Sequence, residues 1–129
     1  MDETFPKSRR LTRKAEFDTV FAARQSRADS NLVVYAMAND LGYPRLGLVV
    51  SRKVSKSAVK RNRWKRLLRE AFRLIQHDLP AADLVCLPRG SVEPNLESLQ
   101  QSLYSLAHRA LRPKPRRRSL PADGAGGGK

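Results

Sequence analysis

Residues 52–73, RKVSKSAVKRNRWKRLLREAFR, decide how this chain is organised. They contain ten basic residues and one acid, Glu70, so nine of the fourteen net positive charges of the chain lie in this segment. Projected at about 100° per residue, its apolar side chains form one stripe of a helix and its basic side chains gather opposite. We therefore predict a long amphipathic helix over residues 57–79, which Pro80 ends. The apolar stripe consists of Trp64, Leu67, Leu68, Ala71, Leu74 and Ile75.

The basic face of this predicted helix hardly mixes charge signs. Like charges one turn apart repel each other and destabilise a helix slightly. The repulsion is explained if the face binds phosphates, which the planar guanidinium of arginine contacts with two hydrogen bonds. A solvated basic face without a ligand is the alternative. The face comprises Asn62, Lys65, Arg66, Arg69 and Arg73, with Arg61 on its shoulder.

Upstream of this helix, the pattern predicts a first helix and two or three strands. Residues 13–24 have helical spacing, with Thr12 as the predicted N-cap. Residues 32–37 and 45–51 are rich in β-forming residues and flank a turn-rich segment, so we predict an antiparallel hairpin. A short strand near residues 26–28 is predicted to precede it.

Downstream, a buried strand over residues 83–88 and a helix capped by Asn95 complete the pattern. The order of helix, strands, helix, strand and helix is typical of an α+β fold, or α/β sandwich, with helices packed on a small sheet. We predict one domain over residues 12–111. A flexible basic arm over residues 1–11 precedes it, and a disordered basic and Gly-rich tail over residues 112–129 follows it.

Composition restricts the class of protein. The chain has 129 residues, enough for one domain, a net charge of +14 and a pI near 11.1. Such an excess favours nucleic acid as the partner, with a merely basic soluble protein or an anionic membrane surface as alternatives.

The single cysteine, Cys86, excludes an intramolecular disulfide and is predicted to be buried. Neither a secretory signal nor a membrane span is visible, so we expect a cytoplasmic protein.

Three aromatic residues form a second feature. Phe17 and Phe21 are one turn apart on the first predicted helix, and Tyr35 lies in the middle of a predicted strand. Such residues usually belong to the core. They also suit a stacking platform for unpaired bases, flanked by basic side chains. The residues alone leave both interpretations open.

The segment around the basic helix also carries a specific motif. Its members are Lys53, Ala58, Arg61-Asn62-Arg63, Lys65-Arg66 and Arg69-Glu70, preceded by Leu11, Phe17, Phe21 and Arg45-Leu46-Gly47-Leu48. Together they resemble the bacterial ribonuclease P protein family over roughly residues 7–112. Two positions depart from that pattern: Val49 replaces a small hydroxyl residue, and Trp64 replaces an aliphatic one. We interpret Trp64 as a core residue.

The resemblance implies a fold of order αβββαβα, similar to domain 2 of ribosomal protein S5. It has a mixed sheet of about four strands and a left-handed βαβ crossover, an exception to the usual handedness. The implied contacts to the RNA subunit are Lys60, Arg61, Asn62, Arg63, Lys65, Arg66, Arg69 and Arg73. The implied binding site for a single-stranded 5′ leader consists of Phe17, Phe21, Val33, Tyr35 and Lys53.

In function, the resemblance implies the protein subunit of ribonuclease P. Its partners would be the catalytic RNA and precursor tRNA, whose 5′ leader the holoenzyme removes as an endoribonuclease, with a broader range of substrates when the protein is present. No catalytic or metal-binding residue is expected in the protein, and His77 and His108 are predicted to be surface residues. The protein would bind no cofactor, whereas the RNA subunit requires Mg²⁺. Neither a membrane nor a protein partner is expected.

Three rival functions remain at this point. A structural RNA-binding protein of the ribosomal kind shares the charge and the type of fold. An autonomous metal-dependent nuclease needs a cluster of carboxylates, whereas the twelve acids of this chain are scattered. A membrane-binding amphipathic helix suits residues 57–79 but not the strands around them.

Overall fold

The computed structural model describes residues 7–89 and 93–111 of the chain. Its helices and strands follow one another in the predicted order αβββαβα. Their bounds are α1 Lys14–Ala22, β1 Ser26–Ala28, β2 Leu32–Ala38, β3 Arg45–Leu48, α2 Ala58–Ile75, β4 Ala82–Pro88 and α3 Leu96–Leu111, with 3-10 turns at Lys7–Arg9 and Gln76–Asp78. The short strand predicted near residues 26–28 is therefore present. The predicted disordered tail, residues 112–129, lies outside the described residues.

The four strands form one mixed sheet in the order β1-β2-β4-β3. The central strand β4 pairs antiparallel with β2 and parallel with β3, and β1 pairs antiparallel with β2. Because α2 connects the parallel neighbours β3 and β4, these three elements form a βαβ unit. The α+β class and the mixed sheet are thus confirmed, and the left-handed crossover stays a prediction.

The predicted antiparallel hairpin between the second and third strands is wrong. β2 and β3 lie on opposite edges of β4, and β3 already ends at Leu48. Every residue of β4 except Leu87 is buried, which requires cover on both faces and a neighbour on each edge. The turn-rich segment still turns the chain, with Gly42 at a φ of 85°. It passes the start of β4, where Ala38 pairs with Ala82 and Arg45 with Asp83.

Each face of the sheet has its own apolar core. α2 and α3 pack on one face, to which β2 contributes Leu32, Val34 and Ala36. Trp64 belongs to this core and is only 4% exposed, as predicted. On the other face, Val20 of α1 packs with the buried residues Leu11 and Val85. The alternation of side chains along each strand directs residues to the two cores in turn.

Polar side chains fix where the helices begin. Ser57 Oγ accepts a hydrogen bond from the Lys60 backbone N–H at 3.3 Å before α2. Asn95 caps α3 as predicted, with Oδ1 3.0 Å from the Ser98 nitrogen. Thr12 is not the cap of α1, because Arg13 holds that position. Instead, Glu16 Oε1 accepts from the backbone N–H groups of both residues, at 3.1 and 3.2 Å.

A buried carboxylate, Asp83, joins several elements. It is 4% exposed, and it accepts hydrogen bonds from Arg45 Nε at 2.9 Å, Arg45 Nη2 at 2.8 Å and Asn39 Nδ2 at 2.9 Å. Arg45 Nη1 also lies 3.4 Å from Glu16 Oε2 of α1. Burial alone raises the pKa of Asp83, but the hydrogen bonds from Arg45 and Asn39 outweigh it, so the pKa lies below its ordinary value. The Arg45 guanidinium therefore ties β3 to β4 through Asp83 and to α1 through Glu16.

The buried thiol of Cys86 gives a first testable prediction. Burial raises its pKa to about 12, so almost no thiolate exists at neutral pH. We expect no reaction with an aqueous disulfide reagent while the protein is folded and one equivalent of reaction in denaturant. Because Cys86 is the only cysteine of the chain, the absorbance of the released thiol measures it directly. Labelling of the folded protein at the rate of a free thiol would contradict this burial.

Candidate RNA interface

The packing of α2 determines which of its side chains face solvent. Trp64, Leu68, Ala71 and Phe72 are buried against the sheet and α3. The sequence projection omits Phe72, which lies at the border of the apolar stripe and is fully buried. With this stripe fixed in the core, the basic side chains of α2 project away from it.

Five of the eight predicted RNA contacts line a single groove. Its volume is about 470 Å³ and it is open to solvent. The five residues are Asn62, Lys65, Arg66, Arg69 and Arg73, and they share the groove with Arg10 and Glu70. The groove thus combines five cationic side chains with one carboxylate, and phosphates are the anions that such a surface suits.

The other three predicted contacts lie outside this groove. Lys60 and Arg63 are exposed on the first turns of α2. Arg61 is half-buried, and its Nη1 donates to the Ser55 carbonyl at 2.9 Å and to the Lys56 carbonyl at 3.1 Å. Arg61 therefore fixes the loop that leads into α2, in addition to any role at the surface.

One acid lies among these cations. Glu70 accepts two hydrogen bonds from Arg73, with Oε1 3.0 Å from Nε and Oε2 2.6 Å from Nη2. The hydrogen bond from Arg73 lowers the pKa of Glu70, so this carboxylate is ionised at neutral pH. Arg73 is thereby oriented along α2, whereas Arg66 and Arg69 are exposed beside it.

Arg10 is a groove residue that the sequence reasoning missed. Residues 1–11 are predicted as a flexible arm, but Arg10 forms a parallel bridge with Leu46, and the Leu11 nitrogen donates to the Leu46 carbonyl at 2.9 Å. Leu11 is 4% exposed, so this end of the predicted arm is part of the folded domain. The available signal was the apolar Leu11 directly after a basic run. Residues 1–6 lie outside the described residues.

The three aromatic residues of the predicted leader site lie on the face of the sheet opposite α2. Phe21 and Tyr35 are in edge-to-face contact, with ring centroids 4.8 Å apart and planes at 85°. Phe17 packs over Gly47, where an added Cβ would lie 2.8 Å from the aromatic ring. All three rings are half-buried at the edge of the smaller core. They therefore belong to the core and also present ring surface to solvent, and the stacking platform for unpaired bases stays a prediction.

The remaining two leader residues differ in position. Val33 is half-buried and lies two residues from Tyr35 on β2, so both side chains are on the same face of the sheet. Lys53 is exposed in the turn between β3 and α2, where its backbone nitrogen donates to Ser51 Oγ at 3.2 Å. Four of the five residues thus share one face, and Lys53 lies outside the apolar cluster.

Metal ligands, histidines and apolar helices are the remaining features of the described residues that bear on function. Within residues 7–89 and 93–111, no group of three or more His, Cys, Asp or Glu side chains is arranged to hold a metal ion. His77 is exposed, and His108 is half-buried with Nε2 2.9 Å from the Asp78 carbonyl oxygen. None of the described helices has the length and apolar character needed to cross a membrane.

Known proteins share both the sequence and the fold. The family model described as Ribonuclease P matches residues 5–111. The ribonuclease P protein component of Chromohalobacter salexigens is 45% identical over 93 residues, which cover 71% of this chain and 73% of that protein. The corresponding protein of Edwardsiella ictaluri is 42% identical over 110 residues, covering 84% and 92%.

Solved structures agree with these matches. The RNase P protein of Staphylococcus aureus superposes with a TM-score of 0.70 at 30% identity, covering 81% of this chain and 97% of that one. The RNase P protein of Thermotoga maritima gives a TM-score of 0.66 at 30% identity, covering 74% and 92%. With its basic groove, its aromatic cluster and these matches, the chain belongs to the ribonuclease P protein family.

Proposed function

We propose that this chain is the protein subunit of ribonuclease P and that the groove beside α2 binds the catalytic RNA. Membership of the family implies a role in tRNA processing together with an RNA subunit. The observation that carries the finer assignment is the groove of about 470 Å³ lined by five cations and one acid. A polyanion offsets the mutual repulsion of such side chains, and release of its counterions adds to the affinity.

In this proposal, the aromatic face binds the single-stranded 5′ leader of precursor tRNA. Phe17, Phe21 and Tyr35 offer partly exposed rings on which unpaired bases stack, and Val33 extends the apolar surface along β2. Stacking tolerates every base, so discrimination among leader sequences is modest. Lys53 contributes a positive charge near the backbone of the bound strand.

Hydrolysis is assigned to the RNA subunit and its Mg²⁺ ions, which activate water and stabilise the leaving oxygen. The protein contributes no catalytic residue in this proposal. It adds binding energy for the leader and reduces the repulsion between the phosphates of the two RNAs. The holoenzyme would act in the cytoplasm without a membrane or a further protein partner.

Reconstitution tests this function. The full-length protein is added to a bacterial ribonuclease P RNA and a precursor tRNA at low Mg²⁺, and release of the leader is measured. We expect cleavage to increase strongly with the protein and to be absent without the RNA. No gain in cleavage would contradict the proposal, and cleavage by the protein alone would instead favour an autonomous nuclease. Sedimentation with ribosomes rather than with this RNA would favour a ribosomal protein.

The Phe21→Ala variant tests the leader site. Base stacking on an aromatic ring contributes about 1 to 3 kcal/mol, so we expect about tenfold weaker binding of precursor tRNA by the holoenzyme, with unchanged binding of mature tRNA. Tyr104→Ala is the matched control, because it removes an exposed ring from α3. Thermal unfolding of each variant shows whether the fold is retained. Equal losses on precursor and mature tRNA would contradict the assignment.

A further inference from the structure

The N-terminal segment, residues 8–12, is attached to the outer edge of β3 by one β-bridge. Arg10 pairs in parallel with Leu46, and the neighbouring Leu11 side chain is buried between α1 and the sheet. At the outer edge of β3 the segment lies beside α2, since residues of the segment, of β3 and of α2 line one common space. The segment therefore has a defined position next to the basic face of α2.

Arg9 connects this segment to two other elements. Its Nη1 donates to Gln76 Oε1 at 2.7 Å, and its guanidinium carbon lies 4.8 Å from the centroid of the Tyr43 ring. Gln76 is 1% exposed, and its Nε2 donates to the Arg73 carbonyl at 3.1 Å. The cationic group of Arg9 is thus engaged by a buried amide at the end of α2 and by an aromatic ring before β3.

Arg10, the next residue, lines the groove beside α2. It lines the groove of about 470 Å³ and also an adjoining cavity of about 210 Å³ between the N-terminal segment, β3 and α2. Lys65 and Arg69 of α2 line both spaces as well. The groove therefore has two walls, α2 on one side and the N-terminal segment on the other, and each wall carries arginine.

We propose that the N-terminal segment is the second wall of the RNA-binding groove. Arg10 binds phosphate of the RNA from the side opposite Arg66 and Arg69, and Arg9 is a positioning residue that holds this wall through Gln76 and Tyr43. This inference rests on the proposed function, and it assigns a role in RNA binding to residues outside the helix motif. A phosphate between two walls is approached by guanidinium groups from two directions, which a single helix face cannot provide.

The salt dependence of binding and a double-mutant cycle distinguish the roles of Arg10 and Arg9. A side chain that contacts phosphate releases about one counterion, so Arg10→Ala should reduce the slope of log K against log salt by about 0.7 to 0.9. Arg9 acts through Arg10. Loss of the Arg9 side chain therefore weakens the contact between Arg10 and phosphate and removes no separate contact. A double-mutant cycle distinguishes these roles, because energies of dependent residues do not add.

The experiment measures the affinity of the full chain for ribonuclease P RNA over a range of salt concentrations. We expect Arg10→Ala to weaken binding about tenfold with the reduced slope, and Arg10→Lys to retain the slope. Arg9→Ala should weaken binding about threefold in the wild-type background and hardly at all in the Arg10→Ala background. Arg13→Ala is the matched control, since Arg13 is an exposed arginine directly after the segment and lines neither space.

Several results would overturn the inference. One is that Arg10→Ala behaves like Arg13→Ala, and another is that Arg9→Ala has the same effect in both backgrounds. If the wild-type chain does not bind the RNA, the proposed function itself fails. If Arg66→Ala weakens binding and Arg10→Ala does not, only the second wall fails. Circular dichroism and thermal unfolding confirm that each variant is folded.

Discussion

The variant in which both Arg66 and Arg69 are replaced by alanine is expected to bind ribonuclease P RNA about 30-fold more weakly than wild type. Each exposed guanidinium makes a charge-assisted contact with phosphate worth about 1 kcal/mol or more, and a loss of about 2 kcal/mol corresponds to that factor. The salt slope should fall by about 1.4 to 1.8, because two counterion-releasing contacts disappear. Stability should hardly change, since both side chains are exposed.

Filter binding or fluorescence anisotropy across salt concentrations measures this effect. The matched control is the double variant Arg89→Ala and Arg109→Ala, which removes the same charge. Both control residues are exposed and lie near the β1–β2 turn, where the Arg89 nitrogen donates to Asn31 and Arg109 interacts with Asp29. Equal losses in the two double variants would mean that total charge, not the groove, determines affinity.

The Asp83→Ala variant is expected to lose about 2 to 4 kcal/mol of its free energy of unfolding at pH 7. Removing one partner of a buried ion pair leaves the other without compensation, and here Arg45 Nε and Nη2 both lose their acceptor. We place the loss below that of a fully buried pair because the Arg45 side chain is 22% exposed. Asn39 also loses its acceptor. Urea denaturation measures the change.

The same carboxylate gives a pH dependence. The pKa of Asp83 is lower in the folded protein than its ordinary value of 3.8. Its contribution to stability is therefore fully present above about pH 5 and is lost as the pH falls through the lower folded value. The difference in unfolding free energy between wild type and Asp83→Asn should shrink as the pH falls from about 5 to about 2. A difference that stays constant over this range would contradict an ionised Asp83 in the fold.

Much of the local structure could be predicted from residues that are close in sequence. The basic helix, its apolar stripe and the Asn95 cap follow from side chains within one or two turns of each other. The short strand at residues 26–28 and the burial of Trp64 are also confirmed. The cap of α1 was predicted one residue too early, because Arg13 holds that position and the Glu16 carboxylate accepts from the backbone N–H groups of Thr12 and Arg13.

The candidate site could be predicted only in part for a related reason. Asn62, Lys65, Arg66, Arg69 and Arg73 lie on one helix, so their spacing alone brings them together. Arg10 reaches the same groove through a bridge to Leu46, 36 positions along the chain. No pattern of neighbouring residues encodes that contact. Likewise, the position of Phe17 over Gly47 depends on how α1 lies on the sheet.

The sequence by itself determined the order of the elements, the basic face of α2 and the family to which these residues are similar. Only the tertiary structure decided that β4 lies between β2 and β3 and that the groove has a second wall. Helical periodicity is a local property, because residues three or four apart share a face whatever surrounds them. Strand order instead depends on which strands, distant in sequence, pair with the two edges of β4. The packing of the whole sheet between its helices determines this pairing.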